Sequence, residues 1–146
     1  MNRILTILFA GFIMGAFVGP QAYGLTLSDM QVKITPRGHT AIFRMYDTVA
    51  AKEFYDQLPL KLDLSNFRDA QWMFYPPEKL SVTAREAYHD GKKGELSYYA
   101  PWGDVVMFYG NFGSAPGLCE LGHAVSGSEY IKDMSGAIRV EKGNDP

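Results

Sequence analysis

Apolar and polar side chains alternate in several short segments of the chain, and this spacing is typical of β-strands that bury one face. Met30, Val32 and Ile34 alternate with polar neighbours and predict a first strand. Residues 36–38, Pro-Arg-Gly, then favour a turn. Residues 39–46 predict a second strand, so we expect the two strands to form an antiparallel hairpin.

A short helix is predicted over residues 49–58, with Asp47 or Thr48 as its capping residue. The apolar face that we expect to pack inwards consists of Val49, Ala50, Ala51, Phe54 and Leu58. Pro59 ends the helix because proline has no backbone N–H and fits only its first turn. In residues 60–64, leucine alternates with polar side chains and indicates a third strand with one solvent-exposed face.

The remainder of the chain favours further short strands. We predict a strand at 71–75, an exposed loop at 80–93, a strand-turn-strand at 94–112, a strand at 118–125, helical turns at 128–134 and a closing strand at 136–141. Seven or eight short strands with so little helix predict a β-barrel or a β-sandwich. We expect the barrel, because closure removes the unpaired edge strands that promote association.

The first 24 residues have the pattern of a secretory signal peptide. Arg3 supplies a positive charge, and residues 4–18 carry none. Small residues at Ala22 and Gly24 then suit cleavage after Gly24. We therefore expect a single domain over residues 25–146 in the periplasm or outside the cell, without membrane association after cleavage. Retention of the segment as an uncleaved anchor remains the alternative.

The chain has 47% hydrophobic and 21% charged residues, which is the composition of a globular domain. Its net charge of −2, without a run of basic residues, does not provide the positive field that nucleic-acid binding needs. Cys119 is the only cysteine, so no disulfide can form within the chain and we expect its thiol to pack as a small apolar group. Because His39, His89 and His123 lack the spacing of a metal motif, we predict neither a metal nor a cofactor.

A set of short sequence blocks covers nearly all of residues 30–142. They are Tyr46-Asp47, Ala50-Ala51-Lys52-Glu53-Phe54, Leu58-Pro59-Leu60, Pro77-Glu78-Lys79-Leu80, Gly94-Glu95-Leu96 with Tyr99, Phe108-Tyr109, Leu121-Gly122 and the final strand from Gly136 to Val140. In this order the blocks resemble the small bacterial cyclophilin-like domain family. The resemblance implies a mainly β fold: a closed eight-stranded antiparallel barrel with one or two short helices.

The resemblance does not imply prolyl isomerase activity. Catalytic cyclophilins carry a Phe-His-Arg strand followed by a Phe-Met-x-Gln-Gly-Gly-Asp stretch, and neither is present here. Members of the small family mostly have no assigned activity, so the resemblance implies a fold rather than a reaction. Arg44 could still polarise a prolyl amide, because its guanidinium keeps its charge and holds rigid donors. Alternatively, Arg44 points to solvent and pairs with an acidic residue.

Aromatic residues are concentrated in residues 94–112. Successive side chains of a strand face opposite sides, so we expect one residue of the pair Tyr98 and Tyr99 to be buried, and likewise one of Phe108 and Tyr109. Trp102 lies in the predicted turn, where burial is hardest. Its indole is either a lid over the barrel mouth or part of a recognition surface.

These observations predict a non-catalytic domain that binds a peptide or small molecule at an aromatic barrel mouth. The residues expected to form this site are Arg44, Trp72, Tyr99, Trp102 and Phe112. Two alternatives remain open. The domain is a weak peptidyl-prolyl isomerase with Arg44 as its catalytic residue, or it is a protein-interaction domain in which Trp102 is buried in a partner.

Overall fold

The computed structural model describes residues 25–82 and 88–143. The predicted signal peptide, residues 1–24, lies outside the described residues, and so does part of the predicted loop, residues 83–87. Within the described part of the chain, no helix is both long and apolar enough to cross a membrane.

The predicted N-terminal hairpin is confirmed. Strands β1 (Leu27–Thr35) and β2 (Ala41–Tyr46) pair antiparallel, with Val32 opposite Phe43. Val32 and Phe43 are fully buried, and their polar neighbours along each strand are only partly buried. The alternation therefore reflects one face that looks into the fold and one that looks out.

Helix α1 (Val49–Asp56) begins after Thr48, whose Oγ1 accepts a hydrogen bond from the Ala51 backbone N–H at 3.1 Å. The buried residues of the helix are Ala50, Ala51 and Phe54, as predicted. The prediction for Val49 is wrong, since this side chain is 67% exposed. Each helical residue turns by 100°, so Val49 lies about 150° from the centre of the buried face.

The other strands follow in chain order: β3 (Leu60–Asp63), β4 (Ser65–Phe67), β5 (Gln71–Phe74), β6 (Tyr88–Gly91), β7 (Glu95–Tyr99), β8 (Asp104–Phe108), β9 (Phe112–Pro116), β10 (Leu118–Ser126) and β11 (Ala137–Lys142). A 3-10 helix spans Ser128–Asp133. The strands predicted near 60–64, 71–75, 94–112, 118–125 and 136–141 are confirmed, as are the helical turns after residue 128.

Nine strands form one antiparallel sheet in the order β3-β11-β1-β2-β10-β7-β8-β5-β4. Its two outermost strands, β3 and β4, are separated in sequence only by Leu64, whose backbone N–H donates to the Gly136 carbonyl at 2.9 Å. One bent segment therefore pairs with β11 at one end and with β5 at the other. The nine strands form a nearly closed antiparallel barrel, which confirms the predicted fold, with nine strands where eight were expected.

The barrel interior holds the main apolar core. Its largest fully buried members include Phe43, Phe54, Phe74, Tyr98, Ile34, Met45, Leu96, Met107 and Leu121. Tyr98 is 1% exposed and Tyr99 is half-buried, as expected for neighbours on opposite faces. Cys119 is partly buried against this core, which agrees with its predicted packing role.

A separate two-stranded ribbon joins β6 to β9, with Gly91 opposite Phe112. The sequence predicted an exposed loop over residues 80–93. This prediction is wrong for β6, and also for Leu80, which is 5% exposed. The backbone N–H of Leu80 donates to the Tyr98 hydroxyl at 3.1 Å, so the chain is bound to the barrel where the predicted loop begins.

Candidate functional site

Strand β8 is buried on both faces. Val105 and Met107 belong to the interior core, whereas Val106 and Phe108 belong to a second apolar cluster. Because side chains alternate along a strand, this second cluster lies on the outer wall of the barrel. The ribbon covers it closely, since a methyl group added to Gly91 would overlap the Phe108 ring.

An apolar pocket of about 220 Å³ adjoins this outer cluster. It is lined by Phe67, Arg68, Gln71, Tyr99, Trp102, Val106, Phe108, Phe112, Ala115 and Leu118. Five of these ten residues are aromatic. The pocket lies on the outer wall, beside the ribbon, and not at the barrel mouth where the sequence predicted a site.

The aromatic rings of the pocket meet largely edge to face. Trp102 contacts Phe67 with ring centroids 5.5 Å apart at 83°, and Tyr99 with centroids 5.5 Å apart at 77°. Phe112 lies 6.0 Å from Phe67 and 6.1 Å from Phe108. These are favourable geometries for aromatic pairs. Trp102 is 47% exposed, so its indole forms the rim of the pocket.

The pocket also contains an amide. Gln71 lies opposite Phe108 in the β5–β8 pair and is only 6% exposed. Within the described part of the chain its side chain has no hydrogen-bond partner, yet its polar atoms are not fully enclosed by protein. Since Gln71 lines the pocket, the donor and the acceptor of its amide are open to a bound molecule.

A strained turn places a positive charge at the rim. Arg68 (φ 55°) and Asp69 (φ 50°) are both left-handed, and the Ala70 N–H donates to the Phe67 carbonyl at 3.2 Å. The Asp69 carboxylate accepts a hydrogen bond from the Tyr109 hydroxyl at 2.7 Å, which helps to hold the turn. The Arg68 guanidinium lies 5.0 Å from the centre of the Phe67 ring. The two consecutive left-handed residues, closed by the hydrogen bond between Ala70 and Phe67, form the turn of the β4–β5 hairpin.

Arg44 lies away from the pocket. It is on the outer face of β2, opposite His123 of β10, and its Nε donates to the Ser28 carbonyl at 2.8 Å. His123 is five residues from Leu118, the β10 residue in the pocket wall, which corresponds to roughly 15 Å along the strand. The side chain points outwards, as the alternative expected, but its partner is a carbonyl and not an acid.

Trp72 lies on the other face of the sheet from Gln71. It pairs in register with Met107, and its Nε1–H donates to the Lys132 carbonyl in the 3-10 helix at 3.4 Å. Its ring also lies 6.4 Å from that of Tyr109. Trp72 therefore connects the barrel wall to the 3-10 helix. Of the five residues predicted for the site, the pocket contains Tyr99, Trp102 and Phe112.

A cluster of polar side chains lies on the neighbouring strands β2, β10 and β7. Glu95 is 7% exposed and accepts a hydrogen bond from the Ser97 hydroxyl at 3.2 Å. Burial, reinforced by the charge of Glu120, raises the pKa of Glu95 to about 7. Burial and the nearby carboxylates of Glu120 and Glu95 raise the pKa of Tyr46. The Tyr46 hydroxyl lies 3.2 Å from Nδ1 of His123. Glu95 can therefore hold a proton near neutral pH.

Asp104 is the most isolated polar group of the described residues. It is 1% exposed, and neither carboxylate oxygen has a hydrogen-bond partner. Burial raises the pKa of Asp104 to about 6. The residue lies opposite Tyr99 at the start of β8, but its oxygens are enclosed by protein and do not line the pocket.

Two described histidines take part in ring contacts. His39 stacks on Tyr130 with centroids 4.0 Å apart, and His123 meets Tyr46 at 5.8 Å. Over residues 25–82 and 88–143, no three His, Cys, Asp or Glu side chains form a group that could hold a metal ion.

Sequence reasoning missed Phe67, Arg68 and Gln71. One signal was present: Gln71 precedes Trp72 in a predicted strand, so the two side chains had to face opposite sides of the sheet. The turn itself had no signal. Left-handed two-residue hairpin turns favour Asn-Gly or Asp-Gly, and Arg68-Asp69 does not match this preference.

The architecture defines a nearly closed antiparallel barrel with a small apolar pocket on its outer wall. The model of the cyclophilin-like family matches residues 34–141, and the chain belongs to this family. Among solved structures, the chain is similar to the solution structure of a hypothetical protein from Archaeoglobus fulgidus, with a TM-score of 0.61 and 15% identity over 79% of this chain and 95% of that chain. That likeness concerns the fold alone. A comparison with curated proteins finds no match.

Proposed function

We propose that this cyclophilin-like barrel is a binding module that accepts an apolar ring of a peptide or small molecule in the outer pocket. The observation that carries the proposal is the combination of aromatic walls with the unpaired Gln71 amide. Ligand sites are typically concave and apolar, with a few polar groups that fix orientation. Burial of a ring against these walls supplies affinity, and the Gln71 amide selects a ligand that carries a hydrogen-bonding group.

The geometry favours binding over prolyl isomerisation through Arg44. Catalysis requires the guanidinium to approach the amide nitrogen of the bound proline. The Arg44 Nε is bonded to a carbonyl, and the residue lies roughly 15 Å along β10 from the pocket wall. The competing explanation of the exposed Trp102 is that a protein partner covers it.

The test is an NMR titration of the isolated protein with two neutral molecules, phenylacetamide and acetyl-Ala-Pro-amide. We expect the amide signals of residues around the pocket to shift, and we expect Trp102→Ala to weaken binding at least tenfold because the indole forms the rim. Tyr75→Ala is the matched control. Tyr75 is a similarly exposed aromatic residue, at 50%, and does not line the pocket.

Three outcomes would contradict the proposal. Binding of neither molecule would remove the site, and equal losses in Trp102→Ala and Tyr75→Ala would move it elsewhere. Uncatalysed prolyl exchange takes tens to hundreds of seconds, so even weak catalysis is visible in the same spectra. Accelerated exchange that is lost in Arg44→Ala would make the protein an isomerase instead.

We also propose that the protein acts after export to the periplasm or the cell exterior. The support is the sequence pattern of residues 1–24, together with the position of β1, which begins at Leu27. Mass spectrometry of the protein recovered from the cell envelope fraction and the medium tests this. A chain that begins at Leu25 is the expected result, and an intact Met1 in every fraction would contradict cleavage.

A further inference from the structure

The charged residue at the rim of the outer pocket indicates the charge of the ligand that the proposed function requires. Among its lining residues, Arg68 is the one charged side chain. It is exposed at the rim, and no acidic residue of the described chain pairs with it. The neighbouring Asp69 carboxylate accepts a hydrogen bond from the Tyr109 hydroxyl and forms no ion pair with Arg68. The Arg68 guanidinium is therefore the charged donor at the mouth of the pocket that an anionic ligand can reach.

The size of the pocket limits the apolar part of the ligand. An apolar cavity of about 150 Å³ holds one benzene molecule. A pocket of about 220 Å³ therefore holds one ring with a short substituent. A longer peptide segment would have to continue over the ribbon or the exposed Trp102.

The position of Arg68 relative to the rings fits a ligand with a ring and an acid group. Its guanidinium lies 5.0 Å from the centre of the Phe67 ring, and Phe67 also contacts Trp102. A ring inserted beside Phe67 thus brings its substituent close to the guanidinium. The guanidinium of an arginine binds a carboxylate through two parallel hydrogen bonds. A ligand that carries an ammonium or a neutral amide in place of the carboxylate cannot accept both of them.

The acids near the site do not reverse this preference. The Asp104 oxygens are enclosed by protein, so they cannot pair with a cationic ligand in this conformation. Glu95 lies on the same strand as Tyr99 but four residues away, which is about 13 Å. The like charge of the Arg68 guanidinium opposes the binding of a cationic ligand beside it.

We propose that the natural ligand is a small aromatic carboxylate, with its ring in the outer pocket, its carboxylate on Arg68 and a hydrogen bond to the Gln71 amide. The turn of Arg68 and Asp69 carries the guanidinium at the rim, where it lies over the Phe67 ring. The same chemistry is present at the C-terminus of a peptide that ends in phenylalanine. The pocket size favours the free acid.

The test compares three molecules of one shape: phenylacetate, phenylacetamide and phenethylammonium, titrated calorimetrically into the isolated protein at low salt. We expect phenylacetate to bind at least tenfold more tightly than phenylacetamide, and phenethylammonium most weakly. In Arg68→Gln the acid and the amide should bind equally. Arg68→Lys keeps the charge and should restore part of the difference. The matched control, Arg37→Gln, changes an exposed arginine outside the pocket and should leave the order intact.

The outcomes distinguish a failure of the charge preference from a failure of the proposed function. Equal binding of acid and amide to the wild-type protein overturns the charge preference and leaves the proposed function standing. Binding of none of the three overturns both. Tighter binding of acetyl-Ala-Phe with a free carboxylate than of phenylacetate would replace the free acid with a peptide C-terminus. Unchanged melting temperatures of the Arg68 variants establish that the differences come from the site and not from unfolding.

Discussion

Asp104 imposes a cost on the folded state that a single substitution can remove. Its pKa rises from 3.8 to about 6 on folding because burial removes the carboxylate from water. At 1.36 kcal/mol per pKa unit, this corresponds to at most about 3 kcal/mol. The folded chain holds the proton more tightly than the unfolded chain, so the free energy of unfolding decreases as pH rises from about 4 to about 6.

We expect Asp104→Asn to raise the free energy of unfolding by about 1–2 kcal/mol at pH 8 and to leave it nearly unchanged at pH 4. The reason is that the protonated acid and the amide are both neutral, and both lack partners in this position. Urea unfolding at the two pH values measures the effect. Asp63→Asn, at an exposed position on β3, is the control and should have little effect at either pH. A loss of stability at pH 8 would show that the Asp104 carboxylate has a partner in solution.

The ribbon of β6 and β9 can lie close against the barrel because Gly91 has no side chain. A methyl group at Gly91 would overlap the Phe108 ring, which is 1% exposed and cannot move outwards freely. We therefore expect Gly91→Ala to destabilise the protein by about 1–3 kcal/mol, the usual cost of overpacking. Hydrogen exchange should become faster in the ribbon before it changes in β1 and β2.

Gly113 provides the matched control within the same ribbon. It is exposed, has no atom within 4 Å of the added methyl position, and lies in β9. Gly113→Ala should change stability by no more than about 0.5 kcal/mol. If both alanine variants lose stability equally, the ribbon does not rest on Phe108 in solution.

The elements that could be predicted from sequence are those whose own residues alternate or follow helical spacing. The hairpin around residues 36–38, helix α1 with its Thr48 cap, and β11 are all of this kind. The ribbon could not be predicted, because β6 contains few apolar residues and is stabilised by pairing with a distant segment. Such pairing decides the structure more than local preference does.

The candidate site was predicted only in part for a similar reason. Tyr99, Trp102 and Phe112 were identified by their aromatic character, and they do line the pocket. Whether a strand residue faces the pocket depends on its register with its neighbours, and a one-residue change reverses its side. Residue type alone therefore could not show that Trp72 lies on the other face of the sheet, or that Gln71 lines the pocket.

At the scale of the whole molecule, buried carboxyls give the protein its highest stability in mildly acidic solution. The pKa of Glu95 rises from 4.5 to about 7, so its contribution, like that of Asp104, is present at low pH and is lost as pH rises towards 7. Glu53 acts in the opposite direction. Its carboxylate accepts hydrogen bonds from the Ser81 N–H at 2.6 Å and the Ser81 hydroxyl at 2.7 Å, and these lower its pKa. Its contribution is lost as pH falls below about 4.5.

We therefore expect the melting temperature to be highest near pH 4 and to decrease as pH rises from about 4 to about 7. Glu95→Gln should remove the part of this decrease between pH 4.5 and 7, because its neutral amide can donate to Glu120 as the protonated acid does. Glu95 and Asp104 lie at opposite ends of a strand pair, about 13 Å apart, so their effects should add in the double variant. Calorimetry across this pH range measures both. A double variant whose melting temperature still decreases as steeply as that of the wild type would show that other groups govern the stability of the barrel.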